Sequence, residues 1–301
     1  MKKQSKIAVL GGDMRQLALA KSLCDADLQI YTGGLCAAAE DCGNVRICDS
    51  IEDAIVGASA VVLPLPVSMD EGTLNCPACL GKDRITLDKI VELVDKNSLL
   101  LGGRIPKRML DAAQKKGIEV YDYFLSEPLQ IKNAYLTAEA AVSIAMNSLN
   151  KRLGEANFAI TGSGRISRFL AHILKGLGAN VTVAARNVES LTYFSLEGCD
   201  TLLIRNTEGD SARWYAPLQK GYDIIFNTVP AWLFDREFLE GADKKLLIIE
   251  LASSPGGVDV CAARELSANV MWAPSLPGKY APESAGRIIS ECVLDVLGGR
   301  S

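Results

Sequence analysis

The sequence has little of what hydrolytic and metal chemistry depend on. It holds one histidine in 301 residues. That residue, His172, lies in a helical pattern beside Phe169, Leu170 and Ile173, where packing or surface exposure accounts for it. The usual histidine-driven hydroxyacid dehydrogenase mechanism is therefore removed. There is no GxSxG elbow, HExxH pair or P-loop, so the hydrolase and phosphoryl-transfer readings lose their signatures. There is no excess of basic charge either. The formal net charge is −4, which argues against partners such as nucleic acid or a membrane surface. The longest apolar runs, Ala60–Pro66 and Leu246–Ala252, are strand-length and far short of a bilayer span. Met1–Lys6 is basic, but the apolar stretch after it breaks at Gly11-Gly12-Asp13, a strand entering a turn and not an export signal. Without such a signal a cytoplasmic location is expected, and the nine cysteines read as reduced thiols. Cys76-Pro77-Ala78-Cys79 is the one CxxC, with Cys24, Cys36, Cys42 and Cys48 scattered upstream. No second CxxC or His pair completes a ligand set, so no metal site is expected.

Strand-like and helical patterns alternate along the whole chain, the signature of βαβ units. In the first half strands are expected at Lys6–Leu10, Leu28–Tyr31, Ala60–Leu65, Ser98–Leu101 and Glu119–Asp122. Helices are expected at Met14–Cys24, Ser50–Val56, Leu87–Val94 and Lys107–Lys116. The stretch Ser68–Arg84 reads as a loop long enough to serve as a lid. A long Ala-rich helix over Asn133–Leu149 joins the halves. The second half gives strands Phe158–Thr161, Val181–Ala185, Ile224–Asn227, Leu246–Glu250 and Asn269–Trp272. Its helices are Ile166–Leu177, Val188–Leu196 and the closing Ala281–Leu297. The fold class is thus α/β, two doubly wound parallel-sheet domains with an interdomain cleft. Residues 1–150 form a flavodoxin- or Rossmann-like substrate domain with its connecting helix. Residues 151–301 form a Rossmann NAD(P)-binding domain whose last helix packs back on the first.

The most informative stretch runs Phe158-Ala-Ile-Thr-Gly162-Ser163-Gly164-Arg165-Ile166-Ser167. Gly162 permits a tight turn, Gly164 lets backbone approach a pyrophosphate, and the helix starting at Arg165 offers free N–H groups and a favourable dipole. Ser167 stands where Gly or Ala is usual, which loosens helix–strand packing slightly. The motif follows an apolar strand, opens a helix and meets a second strand at the expected spacing, the context that makes a glycine fingerprint informative. The second strand runs into Arg186-Asn187. An acid here would take the ribose 2′-OH of NAD, whereas an arginine suits the 2′-phosphate of NADP; NADP is favoured, with NAD the alternative. Asn227, Thr228, Val229 and Pro230, after a later strand, line the nicotinamide side.

The turn Gly11-Gly12-Asp13-Met14-Arg15 is a poor second fingerprint, since Asp13 would repel phosphate and the spacing is wrong. It reads as a substrate-side wall with Arg15 as an anion clamp. Other polar groups at strand ends or turns are Arg104, Glu127, Thr137 and Glu139, then Ser253, Ser254 and Lys279. Arginines so placed suit carboxylate capture, and two of them with Lys279 suit a small di-anionic substrate.

These residues resemble the A subunit family of dipicolinate synthase nearly end to end. The resemblance rests on Ile7-Ala-Val-Leu-Gly-Gly-Asp-Met-Arg-Gln16, Leu136-Thr-Ala-Glu-Ala140, Gly178 to Arg186 and Ile225-Phe-Asn-Thr-Val-Pro230. It continues through Leu251-Ala-Ser-Ser-Pro-Gly-Gly257 and Ala273-Pro-Ser-Leu-Pro-Gly-Lys-Tyr-Ala-Pro282. The Gly-Gly-Asp-x-Arg-Gln opening together with the Leu-Pro-Gly-Lys block is its most specific part. Two departures are Ser254, where the family usually carries Lys, and Ala140, where it carries a second Gly. The resemblance implies an NADP-dependent oxidoreductase of spore formation, on a branch of the lysine/diaminopimelate pathway. It would oxidise dihydrodipicolinate, formed from 4-hydroxy-tetrahydrodipicolinate, to dipicolinate. It also implies an oligomeric assembly whose partner is a flavoprotein-like B subunit. On this view Asp13, Arg15, Arg104, Thr137 and Ser253 bind the dicarboxylate, Glu139 is the base, and Lys279 adds charge complementarity. Two other readings stay open: an NAD(P)-binding regulatory subunit without chemistry of its own, and a dehydrogenase of another small amino or keto acid.

Overall fold

The computed structural model describes residues 6–24, 26, 28–35, 44–79, 84–204 and 215–299. The chain divides into two compact units, Met1–Asn133 with Pro277–Ser301, and Ala134–Leu276. Both are α/β, each built on a parallel sheet of six strands.

Unit 1 runs β1 (Lys6–Leu10), α1 (Met14–Cys24), β2 (Gln29–Gly33), β3 (Val45–Ile47), α2 (Ile51–Ile55) and β4 (Ala60–Val62). It continues α3 (Leu87–Leu93), β5 (Leu99–Gly102), α4 (Lys107–Lys116), β6 (Glu119–Asp122) and the first turns of α5 (Glu127–Ser148). The strand order is β3-β2-β1-β4-β5-β6, so the order reverses beside β1. The inner strands are apolar on both faces, as a parallel sheet covered by helices requires. Helix starts are written in short polar residues: Ser50 accepts from Asp53 N and Thr86 from Lys89 N. Helix α5 begins six residues before its expected start. Pro128 lies in its first turn, where a missing N–H costs nothing. The expected strand Ala60–Leu65 stops at Val62, short of Pro64.

Unit 2 holds the rest of α5, then β7 (Asn157–Thr161), α6 (Arg165–Gly176), β8 (Asn180–Ala185), α7 (Val188–Leu196), β9 (Asp200–Leu203) and β10 (Ile224–Asn227). After these come α8 (Arg236–Gly241), β11 (Leu247–Glu250), α9 (Val260–Glu265) and β12 (Val270–Trp272). Its sheet order is β12-β11-β10-β7-β8-β9, the doubly wound order with its switch point between β7 and β10. Phe158 and Phe226 stack across β7 and β10 at 5.9 Å in one face of the core. Phe234 and Phe238 meet edge to face on the other.

The chain returns to unit 1 with α10 (Leu276–Tyr280) and α11 (Pro282–Gly298). Helix α11 lies directly on α1. A Cβ at Gly286 would fall 2.5 Å from Arg15 O and 2.6 Å from Ala18 Cβ, so only glycine permits this approach. Ser22 and Ser290 hydroxyls meet at 2.6 Å, and Lys132 pairs with Glu291 at 2.5 Å.

Candidate functional site

The carboxyl ends of β7 and β10 carry the glycine fingerprint. Gly162 has φ +99°, and a Cβ there would stand 2.5 Å from Thr228 Oγ1; both facts demand glycine. Gly164 is the N-cap of α6, makes no side-chain cap and has open space where a Cβ would be. The first-turn N–H groups of α6 have no intrahelical acceptor, and the helix dipole adds partial positive charge there. An exposed, Cβ-free cradle over a helix N-terminus fits a dinucleotide pyrophosphate. Arg165 and Ile166 form the first turn beneath it, and Ser163 is half-buried in the loop.

Ser167 does not loosen the packing as expected. It is fully buried, and its hydroxyl lies 2.9 Å from Thr228 Oγ1. Thr228 Oγ1 donates its own proton to Thr161 O at 2.8 Å, so Ser167 is the donor. One hydroxyl pair thereby joins α6, β7 and the loop after β10. Beyond β8, Arg186 is exposed. Asn187 caps α7, its Oδ1 accepting from Ser190 N at 2.7 Å.

A residue that sequence reading passed over lies at the end of β11. Glu250 is fully buried. Its Oε1 accepts from Ala252 N at 2.8 Å and its Oε2 from Gly257 N at 2.9 Å, while Asn227 Nδ2 donates to both oxygens. Burial pushes its carboxyl above the ordinary range, against the pull of those donors. The available signal was a charged residue ending the apolar run Leu-Ile-Ile-Glu, before Ser-Ser-Pro-Gly-Gly.

In unit 1, Asp13 and Arg15 form a bidentate pair. Arg15 Nε and Nη2 donate to the carboxylate at 2.8–3.1 Å, and Nη2 also donates to Leu65 O at 2.6 Å. The forked edge that the sequence suggests for a substrate is thus taken by Asp13. Burial of Asp13 opposes ionisation, but the hydrogen bonds and charge of Arg15 prevail and hold the carboxyl below its ordinary range. Gln16, buried, donates to Leu10 O and Val62 O and so spans the ends of β1 and β4. A Cβ at Gly278 would come within 2.8 Å of both Arg15 Nε and Asp13 Oδ2. The two blocks Gly-Gly-Asp-x-Arg-Gln and Leu-Pro-Gly-Lys therefore form one packed constellation in unit 1.

Lys279 is exposed beside it. Arg104, with φ +55°, lies over the Phe124 ring at 4.9 Å, and its N–H donates to Asp122 Oδ1. Glu127 and Glu139 are exposed on α5, whereas Thr137 is buried. Ser253, Ser254 and His172 are exposed in unit 2.

The structure corrects two readings of the cysteine loop. Cys76 and Cys79 form a disulfide instead of free thiols. The turn between them, closed by Cys79 N donating to Cys76 O at 3.0 Å, brings the two sulfurs together. The described part of the stretch, residues 68–79, is also anchored, not a free lid: Asn75 N donates to Val67 O and Gly12 N to Asn75 O, and Leu74 is buried. Cys36 and Cys42 lie outside the described residues. No described helix is long and apolar enough to cross a membrane.

Two six-stranded parallel sheets, one with a dinucleotide-type switch point and glycine cradle, place the chain among proteins of Rossmann-type dehydrogenase fold. L-alanine dehydrogenase shares this fold at a TM-score of 0.63 and 15% identity, covering 97% of this chain and 88% of that one. The likeness to one group is much closer. Residues 6–124 match the family of N-terminal domains of the dipicolinate synthase A subunit. The chain is 26% identical over 293 residues to the A subunit of dipicolinate synthase from Bacillus subtilis (strain 168), covering 97% of this chain and 95% of that protein. The crystal structure of the corresponding Bacillus halodurans A subunit superposes with a TM-score of 0.83 at 25% identity, covering 99% of each chain. The chain is thus similar to the dipicolinate synthase A subunits over nearly its whole length.

Proposed function

We propose that this chain is the nucleotide-binding A subunit of a dipicolinate synthase. It oxidises dihydrodipicolinate, formed from 4-hydroxy-tetrahydrodipicolinate by loss of water, to dipicolinate in an NADP-dependent reaction. The observation that carries the reading is the cradle at Gly162 and Gly164, in a chain whose likeness to the A subunits is end to end. When bound, NADP⁺ supplies a two-electron hydride acceptor. Backbone N–H groups at Ser163–Ile166 hold its pyrophosphate, Arg186 and Asn187 face its 2′-phosphate, and Asn227–Pro230 flank the nicotinamide side.

The substrate is a small dicarboxylate. Arg104 and the remaining Nη1 of Arg15 draw its carboxylates, with Thr137 and Ser253 as neutral donors and Lys279 adding positive charge. Asp13 acts through Arg15, holding the guanidinium still. Glu139 accepts the ring proton that leaves with the hydride, and aromatisation drives the step forward, so one weak base suffices. The partner is a flavoprotein-like B subunit in a cytoplasmic heteromer of sporulating cells.

The test is absorbance at the reduced-nicotinamide band. The pure chain is mixed with NADP⁺ and freshly generated hydroxytetrahydrodipicolinate, with and without the candidate B subunit. NADPH formed together with dipicolinate supports the reading. NADPH binding with no turnover in either mixture leaves the dinucleotide site and sinks the substrate assignment.

A further inference from the structure

The carboxyl ends of three adjacent strands in unit 2 are joined by a one-way relay of hydrogen bonds. Thr161 ends β7, Asn227 ends β10 and Glu250 ends β11, and the three are in register. Thr161 Oγ1 donates to Asn227 Oδ1 at 2.6 Å. Asn227 Oδ1 also accepts from Val229 N at 3.1 Å, while Asn227 Nδ2 donates to Glu250. Glu250 then takes the N–H groups of Ala252 and Gly257. Asn227 Nδ2 also donates to Val229 O at 3.1 Å; the other protons of the relay point toward the carboxylate. Turning the Asn227 amide over would break its bonds to Thr161 and Val229, so the direction is locked.

Two loops are seated on this relay, Asn227–Ala231 and Ala252–Gly257. They close so tightly that a Cβ at Gly257 would fall 2.5 Å from Asn227 Nδ2 and 2.6 Å from Ala231 O. Gly256, at φ +80°, would meet the Trp272 ring at 2.5 Å. Both loops follow β10 and β11, the strands on the far side of the switch point from the adenosine half. The phosphate loop after β7 has in addition an anchor apart from the relay, Gly162 N donating to Ala184 O at 2.8 Å, and shares the Thr228–Ser167 hydroxyl pair with the loop after β10.

We propose that Glu250 is a positioning residue for the nicotinamide end of the nucleotide site, holding the loops after β10 and β11 through Asn227, Ala252 and Gly257. This rests on the NADP reading above and deepens it. A carboxylate is required because all its partners are donors. Replacing it with the isosteric amide sets an N–H against another N–H in either rotamer, and one loop loses its anchor.

The test separates the two ends of the ligand. Wild-type chain, Glu250→Gln and Glu250→Asp are titrated with NADPH and with adenosine 2′,5′-bisphosphate, which lacks the nicotinamide half. Glu250→Gln is expected to weaken NADPH binding by about tenfold or more, as loss of a buried charge-assisted anchor does. Binding of the bisphosphate stays at the wild-type level, and Glu250→Asp recovers part of the NADPH affinity. Unchanged NADPH affinity in Glu250→Gln overturns the inference, and so does equal weakening of both ligands. If Glu250→Gln does not fold, Thr161→Val carries the same test from the other end of the relay. A selective loss for NADPH supports the inference, and none overturns it. A wild-type chain that binds neither ligand overturns the nucleotide reading itself.

Discussion

Replacing Gly162 with Ala should damage unit 2 by two separable routes. The first is conformational: a Cβ at φ +99° suffers the left-handed penalty of about 1–2 kcal/mol. The second is steric: the new methyl would stand 2.5 Å from Thr228 Oγ1 and 3.0 Å from Val229 Cγ2, an overpacking worth about 1–3 kcal/mol. The sum, about 2–5 kcal/mol, lowers the melting temperature by about 4–20 °C in a domain of this size. Thr228→Ala alone loses its hydrogen bonds to Thr161 and Ser167, about 1 kcal/mol each. In the double variant the clash with Thr228 Oγ1 is relieved while the Val229 contact and the conformational share stay, so the pair is less damaging than the sum of its parts by about 1–2 kcal/mol. Calorimetry on the four proteins of this cycle reads both numbers. Strict additivity would refute the contact, and a melting temperature for Gly162→Ala within 1 °C (roughly 0.3 kcal/mol) of wild type would refute the whole argument.

Three further outcomes are expected. Asp13 has its carboxyl held below the ordinary range in the folded chain, so the pair stabilises unit 1 above about pH 4 and is lost as pH falls through the lower folded value. Urea midpoints should therefore show Asp13→Asn less stable than wild type by about 1–2 kcal/mol near neutrality, discounted for a carboxylate 36% exposed. That gap should close in acid; a gap that widens in acid refutes the assignment. Gly278→Ala pushes a methyl into the same pair and should cost about 1–3 kcal/mol, and combined with Arg15→Ala it should cost less than the two summed. Arg186→Ala should weaken NADPH binding about tenfold and leave NADH binding alone, and equal effects on both nucleotides would argue against a 2′-phosphate contact.

The inner strands and longer helices were legible in the residues. Lys107–Lys116, Glu119–Asp122, Val188–Leu196 and Ile224–Asn227 appear at the expected bounds, because apolar periodicity and polar caps act over a few neighbouring residues. Strands β3 and β9 were not legible. They are edge strands of three and four residues, Val-Arg-Ile and Asp-Thr-Leu-Leu, too short for a pattern to stand out from the flanking loop. Helices α8, α9 and α10 are shorter than two turns, too short for a 3.6-residue period to declare itself.

What the sequence by itself determined is the parallel α/β class, the glycine fingerprint of the second half and the likeness to the dipicolinate synthase A subunits. Each depends on local pattern or on motifs within a short stretch. Only the tertiary structure decided who meets whom. Nothing in the spacing shows that Arg15 is paired by Asp13 and covered by Gly278, more than 260 residues later. Nor does it show that Thr228 dictates Gly162, or that Glu250 collects donors from Asn227, Ala252 and Gly257. Those partners are fixed by strand order and register, since a parallel sheet brings the carboxyl ends of distant strands to one edge. There a buried carboxylate must find donors wherever the chain supplies them.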